Sequence, residues 1–364
     1  NDIKSPRMNL LLFSVLAFGL ILALAHNNKS GDINAYLLFF LVVLMVLISG
    51  LRMNDSDYIE YRKMYNEVPI LCDFSLASIR DIHGEVGYLF LSSIFKTLCL
   101  PFQLFLFFIA FLSLLLTYFS FRKISLIPIL SLVFYLSHAF IVRDLIQIRA
   151  GLAVSISLYS IIKFKGNKSI ITGVLFASLI HSGALIIALC YPFFKKKYIT
   201  LKMMLFLFLV SIIFSYLNGL NLSIQLLSQY SLLPTAISNY VGWEEYDYRV
   251  SIFTNPVFIK GVFLIVLMHK YVLSDIKNEK IIVLYNLYVL GVLAMVALSG
   301  MAILSGRLSS FLTLGESILI VYALFYKRNT PLAFLIFSFL TIVQLGYDLF
   351  ISNVHPELTL IIFG

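Results

Sequence analysis

The chain has 364 residues, of which 60% are hydrophobic and 12% charged; soluble domains carry roughly 25% charged residues, so a soluble fold is excluded. Apolar runs of membrane-spanning length recur from end to end without the alternation of barrel strands, which predicts an all-α, polytopic transmembrane helical bundle of about 10–12 segments. The formal charge of +9 falls in short, separated clusters of the kind found in cytoplasmic loops, so nucleic acid is not an expected partner.

In chain order, residues 1–7 precede Met8 and read as an expression remnant outside the fold. The rest is expected to form a single integral membrane domain. Spans are expected near residues 9–26, 34–51, 102–121, 126–142, 145–162, 201–217, 256–272, 281–301, 308–326 and 331–351. Basic clusters at Arg122-Lys123, Lys163 to Lys168, Lys195 to Lys197, Lys270 to Lys280 and Lys327-Arg328 mark the inner ends of these spans. Residues 52–85 and 218–253 mix acidic, aromatic and polar side chains, and their charge makes them outer, periplasmic loops. That places 86–98, which ends before Pro101, as an interfacial or re-entrant helix. An intracellular 52–85 followed by a crossing helix at 86–98 is the alternative. The region 169–195 starts and ends at basic clusters, so it enters the membrane and returns. Its two apolar halves, each roughly 12 residues or about 18 Å of helix, meet at His181-Ser182-Gly183, a polar tip at depth that opens outward.

The ionisable residues that interrupt apolar sequence are the candidates for chemistry, because a charge at bilayer depth costs roughly 2.5–3.5 kcal/mol on insertion scales. In the loop after the second span, Arg52 precedes Asp57, Tyr58 and Tyr61. Asp57 with Glu60 has the spacing of a capping box, and the tyrosines that of an interfacial belt. The functional reading makes Asp57 a base and Tyr58, Tyr61 and Arg52 a sugar-binding surface, with Glu85 as a second carboxylate. Arg143 sits at a helix mouth beside Asp144, either solvated or paired there. Arg149 lies nearly two turns deeper with no carboxylate within one helical turn, and a guanidinium there suits a diphosphate, which it grips bidentately. His181 is either a packed core residue or a base or phosphate donor. Arg307 is either a snorkelling cation or a second diphosphate ligand. The 218–253 loop concentrates aromatic and charged residues, among them Trp243 and Tyr246, that suit contact with a glycan. Cys72, Cys99 and Cys190 are too scattered for a disulfide framework or a metal site, and no nucleotide loop, zinc motif or nucleophile elbow is present.

Five short motifs stand in order: Arg52 with Asp57-Tyr58 and Tyr61; Glu85-Val86-Gly87-Tyr88; Gln147-Ile148-Arg149 leading into Gly151-Leu152-Ala153; His181-Ser182-Gly183-Ala184-Leu185; and Gly306-Arg307-Leu308. Together they resemble the EpsG/Wzy-type oligosaccharide repeat-unit polymerases of bacterial surface polysaccharide pathways, from about residue 34 to 326. Ser56 stands where that family often has glycine. The resemblance implies a GT-C-like fold in the inner membrane and a glycosyltransferase that joins undecaprenyl-pyrophosphate-linked repeat units at the periplasmic face, with no metal or cofactor. It assigns Arg149 and Arg307 to the diphosphate with Arg143 behind them, and His181 or Asp57 to activation of the acceptor hydroxyl. It also implies contact with membrane lipid and admits a chain-length regulator protein as partner. A lipid-linked oligosaccharide flippase, an O-antigen ligase and an O-acyltransferase are the competing readings.

Overall fold

The computed structural model describes residues 4–26, 31–54, 57–193, 197–217, 252–327, 330–351 and 359–360. The chain divides into two compact units, Asn1–Leu185 with Ile320–Gly364, and Ile186–Leu319. Among the described residues the regular elements are helices apart from one short antiparallel ladder, in which β1 (Arg52–Met53) pairs with β2 (Thr359–Leu360).

The first unit begins with α1 (Lys4–His26) and α2 (Gly31–Gly50), followed by the amphipathic α3 (Tyr58–Glu67) and α4 (Val86–Thr97). The long apolar α5 (Phe102–Ile124) leads to α6 (Pro128–Ser137), α7 (Ile148–Lys163) and α8 (Asn167–Ser178), and α9 (Leu185–Cys190) carries the chain into the second unit. The second unit contains α10 (Leu201–Tyr216), α11 (Pro256–Tyr271), α12 (Glu279–Ala297) and α13 (Ala302–Leu312); α14 (Glu316–Phe325) leads back to the first unit, which ends with α15 (Pro331–Gly346). Sequence punctuation sets several of the starts. Pro128, Pro256 and Pro331 stand in the first turn, where a missing N–H costs nothing. Thr200, Asn255, Asn278 and Thr330 accept hydrogen bonds from the first-turn amides of their helices. At Asp57 the expected cap does not form: the residue is helical, and its side chain makes no capping hydrogen bond.

Among the described residues three helices are long and apolar enough to cross a bilayer: Phe102–Ile124, Glu279–Ala297 and Pro331–Ile351. Two bent pairs bring the number to five, and shorter apolar helices run over Met8–Leu24, Ala35–Gly50 and Leu201–Tyr216. The chain is therefore a multi-pass membrane protein. The bent pairs depart from the straight spans expected near 126–142 and 308–326. α6 stops at Ser137, and a π-helical turn, Phe140–Ile146, leaves it at 70°. α13 and α14 meet at 62°. Apolar run length reveals neither break, because buried polar groups hold both.

At the first break Asp144 lies buried and accepts hydrogen bonds from Ser113 Oγ and Tyr135 Oη, each at 2.5 Å. Ser113 continues to Ser155 at 3.0 Å, and Ser155 to Thr117 at 3.0 Å. Gly151 closes the packing: a Cβ there would lie 2.9 Å from the Arg143 carbonyl oxygen, so only glycine lets the π turn rest on α7. At the second break Lys260 Nζ on α11 pairs with Glu316 Oε1 at 3.0 Å, and Tyr288 Oη on α12 donates to the same oxygen at 3.0 Å. Irregular backbone within a membrane fold survives where protein groups satisfy it, and at the first break Ser49 Oγ donates to the Asp144 carbonyl at 2.6 Å.

Candidate functional site

Arg149 sits in the first turn of α7, just after Gln147 leaves helical geometry at φ −91°, ψ 61°. Its Nη1 donates to Glu85 Oε2 at 2.7 Å, a pairing across 64 residues of sequence. The guanidinium carbon lies 5.6 Å from the Tyr61 ring centre and 5.7 Å from that of Tyr88, so the cation rests between two aromatic faces. The side chain is 13% exposed.

Glu85 stands immediately before α4 but does not cap it. Its carboxylate turns to the α8–α9 hairpin instead, where the backbone N–H of Ser182 donates to Oε1 at 2.9 Å and the Ser182 hydroxyl at 3.1 Å. Gly87 makes this approach possible. Its N–H donates to the Leu179 carbonyl at 2.8 Å, and a Cβ at residue 87 would lie 2.7 Å from that same oxygen. Any side chain at this position would push α4 off the hairpin. Burial works to raise the pKa of Glu85, but Arg149, His181 and the Ser182 amide together hold the carboxylate below its ordinary 4.5.

His181 occupies the hairpin tip, with Nδ1 3.8 Å from Glu85 Oε1. The Gly183 N–H donates to His181 Nδ1 at 3.0 Å. A neutral ring that accepts at Nδ1 carries its proton on Nε2, so His181 presents a donor. Two donors at the centre of the cluster, Arg149 Nε and Tyr88 Oη, are buried without a hydrogen-bond partner. Unpartnered buried donors cost about 1–3 kcal/mol each, and an acceptor-rich ligand between them would recover that cost.

The structure thus gathers Arg149, Glu85, His181 and Tyr61 from four separate sequence motifs. Arg52 is fully buried on β1, close enough for its charge to act on Tyr61, Tyr88 and Asp144. Asp57 acts electrostatically on Tyr61 from the start of α3. Arg143 is buried on the π turn beside Asp144, not solvated at a helix mouth. Tyr58 turns away from the cluster: its ring packs on Phe102 at 5.4 Å and its hydroxyl donates to Gln103 at 3.3 Å. The side chain is buried. Arg307 is exposed on α13 in the second unit. Trp243 and Tyr246 lie outside the described residues. Among the described residues no three His, Cys, Asp or Glu side chains gather.

Sequence reasoning missed Tyr88 as a member of the cluster, although it stands one helical turn beyond Glu85. It also missed His138 and Asp348, each an ionisable residue inside an apolar run, the same signal that singled out Arg149.

The sequence model of the EpsG family matches residues 35–359. Over 361 residues the chain is 23% identical to the amylovoran biosynthesis protein AmsC of Erwinia amylovora, with 93% of each chain covered. No solved structure matches it significantly.

Proposed function

The chain belongs to the EpsG family, and on that premise we propose that it is a glycosyltransferase that polymerises oligosaccharide repeat units carried on undecaprenyl pyrophosphate. It acts in the bacterial cytoplasmic membrane with its site open to the periplasm, and it lengthens an O-antigen or related surface polysaccharide. The name of its relative, an amylovoran biosynthesis protein, supports polysaccharide synthesis as the setting. The observation that carries the reading is Arg149, a cation inside an apolar fold whose Nε, with the neighbouring Tyr88 Oη, is a buried donor without a hydrogen-bond partner.

The reaction moves a growing glycan from its lipid diphosphate to a hydroxyl of the next lipid-linked unit. Negative charge builds on the leaving diphosphate as the bond to the anomeric carbon breaks. A guanidinium already fixed between Tyr61, Tyr88 and Glu85 meets that charge without reorganising, which is how preorganised groups lower a barrier. His181 supplies a further donor from the hairpin tip.

The test uses lipid-linked repeat units extracted from cells that lack this gene. Purified protein in proteoliposomes is expected to convert them to elongated glycan, read by mass. Intact units moved across the bilayer without elongation would identify a flippase and overturn the proposal.

A further inference from the structure

His138 and Asp348 form a second cluster in the first unit that the Arg149 site does not use. His138 closes α6, where φ −147° and ψ −65° end the helix, and Asp348 lies in a π-helical turn, Tyr347–Ile351, that follows α15. α15 packs on α6 through Phe134 and Phe337, with ring centres 6.1 Å apart. This packing brings His138 Nδ1 to 2.7 Å from Asp348 Oδ2. The Gln344 side-chain amide donates to the other carboxylate oxygen of Asp348 at 3.2 Å, so both oxygens are held. Asp348 is 2% exposed, whereas His138 is 24% exposed.

In the neutral ring the carboxylate sets the tautomer. Gln344 Nε2 also lies 3.3 Å from His138 Nδ1, but the shorter contact to a carboxylate requires Nδ1 to carry the proton. His138 Nε2 therefore presents its lone pair, and no hydrogen-bond partner occupies it among the described residues. His181 has the opposite arrangement, accepting at Nδ1 and donating at Nε2. One histidine is built as a donor and the other as a base.

We infer that His138 is the general base of the transfer, positioned by Asp348; this rests on the polymerase reading above. One connection, α6 to the π turn to α7, carries His138 at its start and Arg149 just past its end. The acceptor hydroxyl gives its proton to His138 Nε2 as its oxygen bonds to the anomeric carbon of the growing glycan. The bond from that carbon to the diphosphate oxygen breaks, and its electron pair leaves with the lipid diphosphate, opposite Arg149. The Asp348 carboxylate compensates the imidazolium, which then returns its proton to water. Atoms and charge balance with no co-reactant.

The test uses full-length protein in proteoliposomes and the same extracted lipid-linked units. His138→Gln is expected to lower kcat about 100-fold or more with KM changed less than about threefold, the range general-base loss produces. Asp348→Asn is expected to lower kcat with KM unchanged, yet to add little in the His138→Gln background, because the two act as one unit. Added imidazole should restore part of the activity of His138→Gly. In the unaltered protein, inactivation by diethyl pyrocarbonate should follow modification of the His138 peptide, read by mass, which removes any dependence on variant folding. If the unaltered protein elongates, and inactivation follows another peptide or His138→Gln keeps more than about a third of kcat, His138 is not the base and the polymerase reading stands. If the unaltered protein does not elongate at all, the polymerase reading fails and the base assignment falls with it.

Discussion

Glu85 serves two partners with one carboxylate, and the pH at which it protonates decides how long both contacts last. Its pKa is held below the ordinary 4.5. A group lowered on folding contributes stability that is fully present above its unfolded value and is lost as pH falls through its folded value. Thermal unfolding in detergent should therefore show the Tm of the unaltered protein falling below about pH 4.5, with that portion of the fall absent from Glu85→Gln. Identical pH curves for the two proteins would remove the carboxylate from the stability of the site. Arg149→Lys keeps the charge but loses the planar fork and the stacking on Tyr61 and Tyr88. Elongation should drop on the order of 100-fold, measured as glycan produced per unit time, while membrane insertion stays normal. Arg149 was legible in the sequence because a cation interrupts an apolar run. Glu85 was legible as a second carboxylate, but its pairing with Arg149 was not: the two lie 64 residues apart, and no local pattern encodes a contact that α4 and the hairpin create by packing.

At the level of elements, apolar run length located the helices well, since a helix satisfies its backbone polar groups in lipid within one continuous apolar run. It was blind to the breaks, whose cause is tertiary. The turn between α6 and α7 depends on one hydroxyl from α5 and one from α6 reaching Asp144, and the bend between α13 and α14 on Lys260 and Tyr288 reaching Glu316. The second break makes a testable demand. Removing one member of a buried ion pair leaves the other uncompensated, at about 3–5 kcal/mol, whereas replacing both with apolar residues is often neutral. Glu316→Leu and Lys260→Met should each lower the Tm, and the double variant should melt closer to the unaltered protein than either single. A double variant whose loss equals the sum of the singles would mean the two side chains do not act as a pair.

For the whole molecule, the side of the membrane that the site faces can be read without substitution. Cys72 is exposed on the short turn Leu71–Asp73, in the stretch that precedes Glu85. In spheroplasts a membrane-impermeant maleimide should label the Cys72 peptide before lysis. Labelling only after lysis would place residues 52–85 in the cytoplasm and the Glu85 face with them. Glu85 also ties distant parts of the chain together. One oxygen takes Arg149 at the start of α7 and the other takes Ser182 at the hairpin tip, so a single proton on this side chain is felt at two elements that no stretch of local sequence joins.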